Sequence, residues 1–419
     1  MKVSTSKIGN HWVLKDISCL VTLKGDGKYK RKSQMSDIGI LKDAYLEILG
    51  TEIVAMGKSE DCPANLPSLS ARGKTVMPGF VDSHTHFVFT GYRDDEFEKR
   101  ASGKSYMEIM KEGGGIHRSV QFLREASFDT LYAESLNRAE MFLKHGTTCV
   151  EVKSGYGLDR ETELKCLRVI KKLNSAVNIE LLPTFLGAHA FPRDFQGNKK
   201  DYLKFLIEEV IPEVCNEGLA EFCDIFCERD VFEIAESEYY LSKAKEAGLA
   251  LRIHADELLP LGGTELGCRL GAASVDHLLH VSAAGIKALA ESETLACLLP
   301  GTSFTLKEKF APAREIIAAG AAVGLATDCN PGSSFTENMQ VILSLACSRL
   351  DMSMAECLNA AIYNNAVSLG RIKALGSLEP GKKADFVVFQ VPNYRHLFYH
   401  YGINHVEKVF KNGMQAWSI

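Results

Sequence analysis

The sequence predicts an α/β protein, a (β/α)8 TIM barrel carrying a small discontinuous β-sandwich domain formed by both termini. Three observations predict it. Between about residues 78 and 370, eight apolar β-type runs alternate with longer amphipathic stretches, the pattern of repeated βα units around a parallel sheet. Hairpin-like runs lie near both ends. The length of 419 residues exceeds a barrel of about 250 residues by roughly the size of a small extra module.

From the N-terminal side, DAYLEILGTEIVAMG at 43–57 holds two short β-rich runs with Gly50 at the turn. The barrel strands follow as VMPGFVDSHTHFVF, TTCVEVKSG, IELLPTFLGAHAF, FCDIFCE, LALRIHADE, ASVDHLL, LACLLPG and AVGLATDCN. Helical stretches intervene, of which FDTLYAESLNRAEMFLKHG before the second strand and SEYYLSKAKEAG before the fifth have the clearest period. ADFVVFQ at 384–390 and VEKVFKNG at 406–413 again read as strands closed by a turn. The expected boundaries are 1–77 and 374–419 for the two parts of the β-sandwich and 78–373 for the barrel.

With 46% hydrophobic and 24% charged residues the chain can build a full core. A net charge of −5 offers no basic field for nucleic acid, and the run Lys28, Lys30, Arg31, Lys32 reads as a solvated loop. The start MKVSTSKIGNHWVLK lacks the apolar stretch of a secretion signal, and no segment approaches the roughly 20 apolar residues of a membrane span. A cytoplasmic location without membrane partners is expected. The twelve cysteines are then reduced thiols, and Cys223 and Cys227 in FCDIFC, with no second pair at zinc-site spacing, read as core.

The first barrel strand carries His84 and His86 around Thr85, and alternation sends both imidazoles to the same side. Further candidates fall near the C-terminal ends of other strands: His189 on the third, His254 on the fifth, His277 on the sixth and Asp328 on the eighth. That end of such a barrel carries the active site. Histidines with a carboxylate suit Zn²⁺ or iron with one position open to water.

HTH, HADE, DH and TDCNPGS on these strands resemble the amidohydrolase superfamily, and FTGYR, EVKSGYGL, TFLGAHAFP and ATDCNPGS resemble the imidazolonepropionase family in particular, over nearly the whole chain. The resemblance implies one divalent or trivalent metal ion per chain, zinc or iron, held by His84, His86, His254 and Asp328. It implies substrate contacts from Arg93, Tyr156, His189, Glu257, Asn330, Gly332 and Ser333, with Tyr106 a lesser candidate. The implied substrate is 4-imidazolone-5-propanoate, a small molecule whose cyclic amide is hydrolysed to N-formimidoyl-L-glutamate in histidine degradation.

In that chemistry Asp328, with a second oxygen expected to be free, takes a proton from water, His277 steers the water, and Glu257 shuttles a proton to a ring nitrogen. Arg93 forks the propanoate tail, the alternative being a salt bridge with Asp94, Asp95 or Glu96. Two-metal relatives bridge their ions by a lysine or carboxylate at the end of strand four; here that strand ends FCERD, so Glu228 leaves a second metal possible, while Lys153, on strand two, reads as a packing or hydrogen-bonding residue. Gly113, Gly114 and Gly115 read as a flexible loop over the mouth rather than a phosphate loop. A nucleobase deaminase and a non-catalytic scaffold on the same fold are the rival readings. A homodimer is possible on the frequency of two-fold assemblies.

Overall fold

The computed structural model describes residues 9–104, 108–109 and 112–419, so Tyr106 lies outside the described residues. Within them, fifteen strands form two sheets. β1 (His11–Val21), β2 (Ile40–Leu49), β3 (Glu52–Lys58) and β4 (Ser68–Pro78) belong to the first sheet. β5 (Phe80–Asp82), β6 (Thr147–Lys153), β7 (Glu180–Ala188), β8 (Phe222–Cys227), β9 (Ala250–Ala255), β10 (Ser274–His277), β11 (Leu295–Leu298) and β12 (Val323–Leu325) form the second. β13 (Phe386–Phe389), β14 (Val406–Lys411) and β15 (Met414–Ser418) return to the first.

The terminal sheet runs β15-β14-β13-β4-β1-β2-β3, so the chain ends share one ladder. It curls: Trp12 on β1 reaches Phe410 on β14, two strands beyond its own neighbour β4, with ring centroids 5.5 Å apart. Trp12, Leu46, Ile48, Phe386 and Phe410 thereby fill one small core between its two limbs. The β2–β3 hairpin turns at Gly50, whose φ of +62° suits glycine.

The eight-stranded sheet is parallel throughout, from β5 to β12 in sequence order. It closes on itself where the His86 amide donates to the Cys329 carbonyl at 2.9 Å and the Asp328 amide to the His84 carbonyl at 3.0 Å. The single run read as VMPGFVDSHTHFVF is in fact divided between the sheets. Val76 to Pro78 end β4, and Gly79 makes the crossing, because a Cβ there would meet Thr148 Oγ1 at 2.3 Å. His84 and His86 therefore follow β5 rather than lie within it, with only Thr85 bridged to Cys329.

Helices Phe128–Lys144 and Ile234–Glu246 occupy the stretches with the clearest period, the first capped by Ser127 Oγ accepting from the Thr130 amide. Among the described residues no helix is long and apolar enough to cross a membrane. All twelve cysteines are free, and Cys223 and Cys227 are buried. The basic run is only half solvated: Lys28 and Lys32 are exposed, but Lys30 is buried and donates to the Leu23 and Asp37 carbonyls, while Arg31 donates to the carbonyls of Ala290, Ser292 and Gly320. Both basic groups tie the N-terminal segment to backbone oxygens.

Strand alternation explains the polar barrel interior. On β6, β8, β9 and β10, Val152, Ile225, Ile253 and Val275 join the apolar shell, while Glu151, Lys153, Asp224, Arg252, His254 and Asp276 meet one another inside it. Register adds to this, with Asp276 directly beside His254 on the neighbouring strand.

Candidate active site

Four ligand-type atoms converge at the end of the barrel where the strands finish. His84 Nε2 is 3.2 Å from His86 Nε2, His254 Nε2 is 3.4 Å from His86 Nε2, and Asp328 Oδ1 is 3.6 Å from the Nε2 atoms of both His84 and His86. Donors around a tetrahedral zinc-sized ion, with bonds of about 2.0–2.1 Å, lie about 3.3 Å apart. The set fits such an ion. Without a cation, a proton on His86 Nε2 could serve only one of these contacts, and the remaining lone pairs would face one another.

The far side of two rings is fixed by carboxylates. His84 Nδ1 is 2.7 Å from Asp276 Oδ2, and His254 Nδ1 is 3.1 Å from Asp224. An ionised carboxylate only accepts, so each Nδ1 carries the proton and each Nε2 presents its lone pair inward. Burial, the largest influence, holds His84 and His86 well below the ordinary imidazole pKa. At His254 burial also lowers, but the charge of Asp224 and its hydrogen bond outweigh it and the pKa is raised. Groups of histidine and carboxylate here are thus able to hold a metal ion.

Asp328 differs from expectation. Its second oxygen accepts a short hydrogen bond from Thr302 Oγ1, so it is held rather than free, and burial raises its pKa to about 6. Its φ of +51° and the +81° of His277 place two non-glycine residues in the left-handed region at the site. His277 lies beside the histidine group, 5.2 Å from the His254 ring by centroids, with Nδ1 3.5 Å from Glu257 Oε1. Burial, followed by the charge of Asp328, raises Glu257 to about 8, although its side chain keeps 15% exposure.

The other candidates surround this group. The His189 ring stacks on His86 at 5.0 Å and donates from Nδ1 to the Gly155 carbonyl at 3.0 Å, which turns Nε2 toward His86 and His254. Tyr156 stands 5.8 Å from His86 and 5.3 Å from His189 by ring centroids. Asn330 Oδ1 accepts from the Gly332 and Ser333 amides at 2.8 Å each, shaping that loop. Arg93 packs on the same loop, where a Cβ on Gly332 would meet its Nη1 at 2.3 Å.

Arg93 also has the salt-bridge partner named as the alternative, since Glu96 accepts from its Nε and Nη2. Glu228 is turned away from the histidines: its carboxylate accepts from the Arg229, Leu258 and Leu259 amides. Lys153 is fully enclosed and bonded to Glu151 and Asp224 at 2.9 Å each. Of Gly113–Gly115, Gly115 donates its amide to Glu96 Oε1.

Sequence reasoning passed over Asp224, Asp276, Thr302 and Glu151. The signal available was weak, an acid within an otherwise apolar strand, as in FCDIFC.

A family model described as the amidohydrolase family matches residues 75–415. The chain is 46% identical over 407 residues to an imidazolonepropionase of Clostridium tetani, covering 96% of this chain and 97% of that protein. It is 47% identical over 402 residues to an imidazolonepropionase of Geobacillus kaustophilus, covering 94% and 95%. Among solved structures it resembles an adenosine deaminase from Xanthomonas campestris with bound zinc, with a TM-score of 0.71 at 17% identity, covering 96% of this chain and 92% of the other.

Proposed function

We infer the reaction of this chain from the fact that it belongs to the amidohydrolase family: it is an imidazolonepropionase, a hydrolase that opens the cyclic amide of 4-imidazolone-5-propanoate to N-formimidoyl-L-glutamate in histidine degradation. The observation that carries this is likeness over nearly the whole chain, at 42–47% identity, to eight proteins of that name.

One metal ion, zinc or iron, would be held by His84, His86, His254 and Asp328; their separations of 3.2, 3.4 and 3.6 Å and the fixed Nδ1 protons of His84 and His254 support this. When bound, the ion supplies Lewis acidity and lowers the pKa of water from 15.7 to about 7. Glu228, engaged with backbone amides, is no ligand to a second ion.

Asp328 takes the proton of the attacking water through a lone pair left over from its bond to Thr302. His277 orients that water and stabilises the oxyanion that forms on the ring carbonyl. Glu257, a carboxyl whose pKa burial raises, protonates the ring nitrogen as the amide opens. Tyr156 and His189 hold the ring, and Arg93 with the Asn330, Gly332 and Ser333 loop holds the propanoate tail.

The variant His254→Ala tests the assignment. It is expected to lose metal and turnover of imidazolonepropionate together. Full metal content and full turnover would remove His254 from the ligand set.

A further inference from the structure

The proposed mechanism leaves Lys153 without a task, yet its ammonium is the only cation bonded to Asp224 among the described residues other than the His254 imidazole. Lys153 Nζ lies 2.9 Å from Asp224 Oδ2, 2.9 Å from Glu151 Oε1 and 3.9 Å from Asp276 Oδ2, with every side chain wholly enclosed. Asp224 and Asp276 are the two carboxylates that fix the Nδ1 protons of His254 and His84. One ammonium therefore stands between both supports of the histidine pair.

We propose that Lys153 is a positioning residue for the metal site, holding Asp224 and Asp276 in place so that His254 and His84 aim their Nε2 atoms at one point. The argument rests on the reading of those histidines as ligands. Without Lys153, Asp276 keeps, besides the His84 imidazole, only Arg252 among the described residues, whose Nε stands 4.0 Å from its Oδ2, and Asp224 keeps only the His254 imidazole. The less compensated carboxylates would then tend to take up a proton or turn away. Either response frees an imidazole to rotate, since a protonated or displaced Asp no longer accepts from Nδ1. Lys153 also stays charged: burial lowers its pKa, but Asp224 and Glu151 outweigh that and raise it overall. Glu151 is anchored in turn, accepting from Thr184 Oγ1, so the ammonium has a fixed seat.

A direct substitution confounds two effects of opposite sign, because removing a cation near a metal favours the metal while losing its grip on the aspartates disfavours it. The double variant Glu151→Gln with Lys153→Met removes one charge of each sign, and because Glu151 also accepts from the Thr85 amide and Thr184 Oγ1, the effect of Lys153 is read against Glu151→Gln alone. We expect its affinity for Zn²⁺, measured by competition with a chromophoric chelator, to fall by about 10- to 100-fold. With Co²⁺ bound, its visible absorption should change shape, reporting an altered ligand arrangement that a loss of packing alone would not produce.

The companion Glu151→Gln with Lys153→Gln keeps an amide donor toward Asp224 and should recover part of the affinity; it also serves if the methionine form does not fold. Wild-type Zn²⁺ affinity with an unchanged Co²⁺ spectrum in either folded double variant would overturn the proposal. Failure of His254→Ala to lose metal would instead overturn the ligand reading beneath it, so the two failures are separable.

Discussion

Arg93 donates to a single oxygen of Glu96 from both Nε, at 3.0 Å, and Nη2, at 2.6 Å. The other oxygen of Glu96 accepts from the Gly115 amide at 3.1 Å, so one buried carboxylate ties the arginine to the glycine loop. What the pair leaves for substrate is the Nη1 end, packed on Gly332. Arg93→Ala should therefore lower kcat/KM about 10- to 100-fold, the loss of one charge-assisted interaction of about 1.5–3 kcal/mol. Arg93→Lys should recover part of this, and Glu96→Gln should raise KM while leaving kcat nearly unchanged. Steady-state kinetics of the three variants checks it; an alanine variant with normal kcat/KM would leave Arg93 with its salt bridge alone.

Thr302 supplies the hydrogen bond that restrains Asp328 Oδ2, and that bond pulls the Asp328 pKa down against the upward push of burial. Thr302→Val keeps the shape and removes the donor. The second oxygen of Asp328 then loses its restraint, so kcat should be about ten-fold lower near neutrality, with an altered pH profile and KM little changed. A profile identical to wild type would reduce Thr302 to packing.

Glu257 carries a pH signature in the metal-free protein. Its carboxyl is raised from 4.5 to about 8 in the fold, first by burial and then by Asp328. Between those values the folded state holds a proton that the unfolded chain has released. This contribution to stability is full below pH 4.5 and is lost as pH rises through about 8. Thermal unfolding of metal-free protein at pH 5 and pH 9 should show a larger decline in Tm for wild type than for Glu257→Gln. Equal declines would remove the shift.

The ligand-type residues were legible because their signals are local: His84 and His86 share a side by alternation, and His254, His277 and Asp328 fall near the ends of the fifth, sixth and eighth strand-like runs. Their supports were not. Asp276 meets His84 across 192 residues and Lys153 meets Asp224 across the barrel interior, pairings that depend on the order and register of β6 to β10 rather than on any spacing. The basic run at Lys30 and Arg31 misled for the same reason, since the carbonyls of Ala290, Ser292 and Gly320 that receive Arg31 lie over 250 residues away. The terminal hairpins were visible from their β-rich runs, whereas β1 and β4, which join them, were not picked out. The β4–β5 division was hidden because Val76 to Val81 contains no polar residue, and only the fit of Gly79 against Thr148 separates its two parts.

That junction gives a prediction about stability. Gly79→Ala places a methyl within 2.3–2.8 Å of three Thr148 side-chain atoms at the crossing between the sheets. Overpacking of this kind costs about 1–3 kcal/mol. Tm should fall, and Thr148→Gly in the same chain should restore most of the loss. A Gly79→Ala protein as stable as wild type would show that the crossing has slack.

The reaction itself is tested most directly by giving metal-loaded protein freshly prepared 4-imidazolone-5-propanoate and following loss of the ring, formation of N-formimidoyl-L-glutamate and release of ammonia in one sample. The account predicts one N-formimidoyl-L-glutamate for each ring lost, with no ammonia. Ring loss no faster than spontaneous decay, or ammonia released in step with substrate, would contradict it.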